Sequence, residues 1–147
     1  MPLSQSGTYK ILLVDDEPGD IGLAKLALSE SPYDCQLTVA CNGKEALAIL
    51  HRDGTRTFSP DLVLLDINMP LMNGKEMLRA MKSEKSLASI PVVMLTTSEM
   101  DRDVAECYEL GAAGYVTKPA EMEDLQTALQ GIQDYWFSRV RIPRRQN

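Results

Sequence analysis

Histidine is nearly absent from this chain: His51 is the only one in 147 residues. It falls in AILHRDG, at the end of a helical pattern, where a structural or solvated place suits it better than catalysis. Cysteine is almost as scarce. Cys35, Cys41 and Cys107 are odd in number and show no CxxC spacing. That excludes a disulfide framework and, with a single histidine, a zinc site. Free thiols of this kind fit a reducing compartment. No apolar run approaches the roughly 20 residues that span a bilayer, and the opening MPLSQSGTYK has no secretory h-region. A cytoplasmic protein with no membrane partner is the plain expectation. Positive charge is in deficit as well; the formal net charge of −6 speaks against a nucleic-acid footprint. What is present, 44% hydrophobic and 24% charged residues, is the balance of one soluble domain with a single sizeable core.

Periodicity gives a regular alternation of elements. YKILLV (9–14), CQLTVA (35–40), LVLL (62–65), IPVVMLT (90–96) and AGYVT (113–117) read as strands. Between and after them, residues 20–30, 43–52, 75–85, 99–111 and 121–137 carry apolar side chains at helical spacing. Asp20 and Asn42 are the expected caps of the first two helices. Asn73–Gly74 marks a turn before the third, and Gly111 closes the fourth. DGTRTFSP (53–60) reads as loop. Single helices between short strands imply parallel pairing, right-handed crossovers and helices on both faces. The expected fold is α/β: a doubly wound, five-stranded parallel sheet of order 2-1-3-4-5, flavodoxin-like. In such sheets a ligand crevice lies beyond the carboxyl ends of the strands.

Those ends are where the chemistry gathers. The run DLVLLDINMP drives a buried strand straight into Asp66, and a carboxylate beside a core is costly unless something compensates it. The first strand ends in Asp15, Asp16 and Glu17, the fourth in Thr96 and Thr97, and the fifth runs into Lys118 and Pro119. Taken singly, an Asp after a strand is ordinarily a cap, and a Lys-Pro is solvated loop. Together they bring several carboxylates, a hydroxyl and an ammonium to one edge. Clustered acids need a cation, and oxygen ligands without His or Cys favour magnesium or calcium. Too few acids are present for a closed cage, which points to Mg2+ retaining waters. An Asp flanked by such an ion, an ammonium and a hydroxyl is placed to attack phosphorus.

With these residues the chain resembles a response-regulator receiver domain of two-component signalling, through ILLVDDEPGD, DLVLLDINMPLMNG, PVVMLTTS and GAAGYVTKP. The resemblance covers residues 9–137; residues 1–8 are then a flexible amino terminus and 138–147 a basic tail. It implies that Asp66 accepts a phosphoryl group from a histidine kinase. It implies that Asp16 and Asp66 ligate Mg2+ directly, Asp15 chiefly through water, and Asn68 through its backbone carbonyl. Lys118 would pair with the phosphoryl group and Thr96 donate its hydroxyl to it, while Tyr115 turns inward as the switch is thrown. Lys118–Pro119 would be a cis peptide.

A narrower resemblance joins the segment before the third strand and the late GIQDYWFSRVRIP to single-domain regulators that serve phytochrome-type histidine kinases. Trp136 and Phe137 either pack back on the core or mark a dimer or kinase contact. The fourth helix, fifth strand and fifth helix are the expected binding surface, either for a partner or for a second copy in a homodimer that also uses Trp136 and Phe137. The residues after the last helix are too few for an output domain, so binding by the receiver itself would be the output. Two other readings are a phosphorelay intermediate or phosphate sink, and a small aspartyl-phosphate phosphatase. The last would need an acid where Asn68 stands. On the leading reading the protein is not an enzyme but a switch.

Overall fold

The computed structural model describes residues 8–52 and 59–143. Five strands, β1 (Tyr9–Val14), β2 (Cys35–Ala40), β3 (Leu62–Leu65), β4 (Val92–Thr96) and β5 (Gly114–Thr117), form one parallel sheet in the order β2-β1-β3-β4-β5. Five α-helices alternate with them: α1 (Pro18–Ser29), α2 (Gly43–Leu50), α3 (Gly74–Lys82), α4 (Asp101–Glu109) and α5 (Met122–Asp134). This is the doubly wound fold expected from the sequence.

The continuous apolar runs of the central strands follow from burial on both faces. Leu12, Val14, Val63, Leu65, Val92 and Met94 point to one side, against Ala46 and Ile49 of α2, Met77, Leu78 and Met81 of α3, and Cys107 of α4. Ile11, Leu13, Leu62, Leu64, Val93 and Leu95 point to the other, against Ala24 and Ala27 of α1 and Leu125, Leu129 and Ile132 of α5. Adjacent residues thus serve opposite cores, as the two-residue period of a strand requires.

Several boundaries differ from the sequence reading. Asp20 does not cap α1. Pro18 opens the helix, and the Glu17 carboxylate accepts from the Gly19 and Asp20 amides at 2.7 and 3.2 Å. Asn73 is more than a turn residue. Its side chain accepts from Glu76 N–H while Glu76 reaches back to the Asn73 amide, a reciprocal cap. β4 begins at Val92, because Pro91 has no N–H to give the ladder. Gly74 is required by close approach: a Cβ there would lie 2.0 Å from the Asp66 carbonyl oxygen. Between β3 and α3, Leu71 adopts φ 68° in a γ-turn closed by Met72 N–H to Pro70 O at 2.7 Å.

The last helix changes form before its expected end. After Asp134 it widens into a π-helical turn, Tyr135–Arg139. Phe137 of that turn is buried, its ring stacked on Tyr9 at 4.1 Å, and the Tyr9 hydroxyl donates to the Phe137 carbonyl. Trp136 is half-buried and Ile142 packs on the same core, so core contacts continue past residue 137. Most of the loop expected over 53–60 and the last two arginines of the basic tail, Arg144 and Arg145, lie outside the described residues, as do residues 1–7. His51 caps the carboxyl end of α2 and pairs with Glu84 at 2.7 Å, a structural place as expected.

Candidate functional site

The carboxyl ends of β1, β3, β4 and β5 converge as the fold requires. Asp66 N–H donates to Val14 O, Asp15 N–H to Ala40 O, and Lys118 N–H to Thr96 O at 2.7 Å, so each of these residues extends a strand ladder by one step. Their side chains are therefore set by the sheet itself. One oxygen of each buried acid is pinned by a neighbouring amide: Asp66 Oδ1 by Ile67 N–H at 2.7 Å, Asp15 Oδ1 by Glu17 N–H at 2.9 Å. Both other oxygens face Lys118, whose Nζ lies 2.7 Å from Asp15 Oδ2 and 3.2 Å from Asp66 Oδ2.

Carboxylate oxygens of Asp15, Asp16 and Asp66 lie within 4.8 Å of one another. Asp15 is 1% exposed, and Asp16 is open to solvent. Burial pushes the Asp15 carboxyl above the usual range, with the Lys118 ammonium and the Glu17 amide opposing it. Burial works against the Lys118 ammonium too. The hydrogen bonds to Asp15 and Asp20 and the charge of Asp66 outweigh it, and hold that group above the ordinary lysine value. Four carboxylates, Asp15, Asp16, Asp20 and Asp66, against the one ammonium of Lys118 leave net negative charge at the mouth. Hard oxygen donors, one side open to water, fit a divalent metal ion that keeps part of its hydration shell.

Thr96 is fully buried at the end of β4, and its hydroxyl has no hydrogen-bond partner among the described residues. Thr97 is exposed. Tyr115 already lies inward, packed against the first core, with its hydroxyl donating to Ser98 O at 2.9 Å. Asn68 is exposed where the chain leaves the sheet. The expected cis Lys118–Pro119 bond is not found; no peptide bond among the described residues is cis. The trans form is the cheaper one by about 0.5–1 kcal/mol before proline. With it the Lys118 amide completes the ladder to Thr96 while the ammonium reaches the acids.

The sequence profile of the response regulator receiver domain matches residues 11–130. The chain belongs to that family. Response regulator Rcp1 of Synechocystis sp. (strain ATCC 27184 / PCC 6803 / Kazusa) is 39% identical over 135 residues, 90% of this chain and 92% of that protein. A solved structure of the phosphorylated cyanobacterial phytochrome response regulator RcpA superposes with a TM-score of 0.89. It is 36% identical and covers 94% of this chain and 100% of its own. The Mn(2+)-bound form of Rcp1 gives a TM-score of 0.87 at 37% identity, over 92% of this chain and 99% of its own. Receiver domains are signalling modules, and the acid cluster of this one is where a divalent ion fits.

Two features of this receiver escaped the sequence reading. Asp20, expected only as a cap, places Oδ2 2.8 Å from Lys118 Nζ. No sequence signal marks it, because Asp16 precedes α1 and no helical spacing links Asp20 to the strand ends. The second is a chain of contacts behind the β4–α4 loop. Ser98 Oγ donates to Asp103 at 2.5 Å, and Lys75 of α3 donates to both Asp103 and Glu106. Nothing in the spacing of those residues joins them.

Proposed function

We propose that this receiver is a phosphoacceptor switch: Asp66 takes a phosphoryl group from the phosphohistidine of a partner histidine kinase. The observation that carries this reading is the Lys118 ammonium lying between Asp15 and Asp66 at the strand ends, where β4 also ends in Thr96 with its buried, unpartnered hydroxyl. In the transfer, an Asp66 carboxylate oxygen forms the new P–O bond. The P–N bond of the kinase histidine breaks, and its electron pair stays on the imidazole. Asp15, Asp16 and Asp66, with the backbone carbonyl of Asn68, are the residues to hold Mg2+. When bound, that ion supplies positive charge against the phosphoryl oxygens. Lys118 turns a donor to a phosphoryl oxygen, and Thr96 gives its hydroxyl to another. That draw on Thr96 shifts the β4–α4 loop, and Tyr115, tied to Ser98, carries the change to the α4–β5–α5 face.

A phytochrome-type histidine kinase is the partner that the likeness to Rcp1 and RcpA supports. The three free thiols suit the reducing cytoplasm in which such a kinase domain works. Met100 before α4, Tyr108 in α4 and Met122 at the start of α5 are 50–66% exposed, apolar surface suited to a second copy of the chain. Phe137 is buried and takes no part in that contact. Incubation with acetyl phosphate and magnesium should add one phosphoryl group by intact mass, and Asp66→Asn should abolish it. The same samples should shift toward dimer in sedimentation only when phosphorylated. Phosphorylation that survives Asp66→Asn defeats the assignment.

A further inference from the structure

Asp20 is a carboxylate at the site outside the acid cluster that fits a metal ion. It stands in the first turn of α1, where the helix dipole favours a negative charge. The helix does not need it as a cap, because Glu17 already satisfies the first free amides, that of Asp20 included. The Asp20 carboxylate is thereby left to Lys118. An ammonium carries three N–H donors. Asp15 takes one at 2.7 Å, Asp20 one at 2.8 Å, and Asp66 has the longest contact at 3.2 Å.

We infer that Asp20 is a positioning residue that holds the Lys118 ammonium toward α1 and so weakens the hold of this site on a phosphoryl group at Asp66. The inference rests on the phosphoacceptor reading of Asp66. Two effects act in the same direction. A phosphoryl oxygen needs a Lys118 donor, and Asp20 competes for it at the shorter distance. Asp20 also sets a like charge on the same ammonium, against the oxygens that gather over Asp66. Lys118 and solvent screen that repulsion, since the Asp20 side chain is 25% exposed, without cancelling it. The tether makes the resting arrangement of the lysine better than the phosphorylated one by whatever Asp20 contributes. A receiver with a neutral residue there lacks that bias.

Titration of the full chain with beryllium fluoride, a phosphoryl mimic, at saturating magnesium tests this by calorimetry. Asp20→Asn keeps an oxygen to accept from Lys118 and removes the charge; it should bind about tenfold more tightly than the parent. Asp20→Ser should shift in the same direction, and Asp20→Glu, which restores the charge, should bind as the parent does. A purely structural role for Asp20 would instead lower the melting temperature and the affinity together. Unchanged or weaker binding by both neutral variants, with the parent binding normally, overturns the inference alone. A parent chain that binds no beryllofluoride overturns the phosphoacceptor reading, and the inference with it.

Discussion

Thr96 has no exposed surface, and its hydroxyl has no hydrogen-bond partner among the described residues. A buried polar group left unpaired costs about 1–3 kcal/mol. A phosphoryl oxygen on Asp66 would offer that hydroxyl an acceptor. Thr96→Val replaces the hydroxyl by a methyl of nearly the same volume. The unmodified protein should melt at the parent's temperature or a few degrees above it. The extra stabilisation on adding magnesium and beryllofluoride should be smaller than the parent's. Melting curves with and without the mimic measure both; a variant that loses stability at rest and gains as much from the mimic as the parent contradicts this role. Thr96, Asp15, Asp66 and Lys118 were all legible in the sequence because each directly follows or ends an apolar strand, and the fold rule fixes where strand ends meet. Asp20 was not. Its contact depends on Glu17 taking over the cap and on a side-chain rotamer reaching across to β5, neither of which a linear pattern encodes.

Between elements, α3 and α4 are clamped by Lys75 on Asp103 and Glu106, and Asp103 in turn holds Ser98 of the loop that follows Thr96. The Asp103 and Lys75 side chains are 14% and 23% exposed, shielded enough for the pair to matter. Hydrogen bonds from Lys75 and Ser98 hold the Asp103 carboxyl below the usual carboxylate range. A folded pKa below the unfolded one gives a stabilisation that is complete above about pH 4. It is lost as the pH falls through the lowered folded value. The bonds to Asp103 and Glu106 raise the Lys75 ammonium. Its contribution is complete below about pH 10.4, and fades as the pH climbs through the raised folded value. Lys75→Met should lower the melting temperature near neutrality by about 2–3 °C and flatten its decline in acid. A melting-temperature series from neutral pH into acid checks the sign; a variant whose acid decline parallels the parent's rules the clamp out as its source. Strands and helices themselves were legible to within a few residues, because continuous apolar runs and three-to-four spacing are strong signals. The clamp joins side chains from three separate elements through polar contacts, and polar residues on solvent-facing turns carry no periodic mark.

The whole molecule separates its two tasks along the strands. The acids and Lys118 occupy the carboxyl end of the sheet; at the amino end, where β1 starts, Tyr9 stacks on Phe137, and Tyr33 meets both rings edge-on. The six residues of β1 put about 20 Å between the two ends. A sequence reading could leave Trp136 and Phe137 either inside or outside, because a helix continued at 3.6 residues per turn and the observed π-helical turn present different faces. In the structure Phe137 is an aromatic plug that fastens the carboxyl-terminal segment across the open end of the second core. Phe137→Ala should cost about 3–4 kcal/mol, seen as a lower urea midpoint with little change in slope. The fluorescence of Trp136, the sole tryptophan and the adjacent residue, should report it. Phe137→Leu should recover much of the loss. Below the melting temperature both variants should bind beryllofluoride as the parent does, since the length of β1 separates this plug from the acids. Reduced mimic affinity in a variant that is still folded would mean instead that the two ends are coupled through the sheet, with the terminal turn acting in the switch as well as in stability.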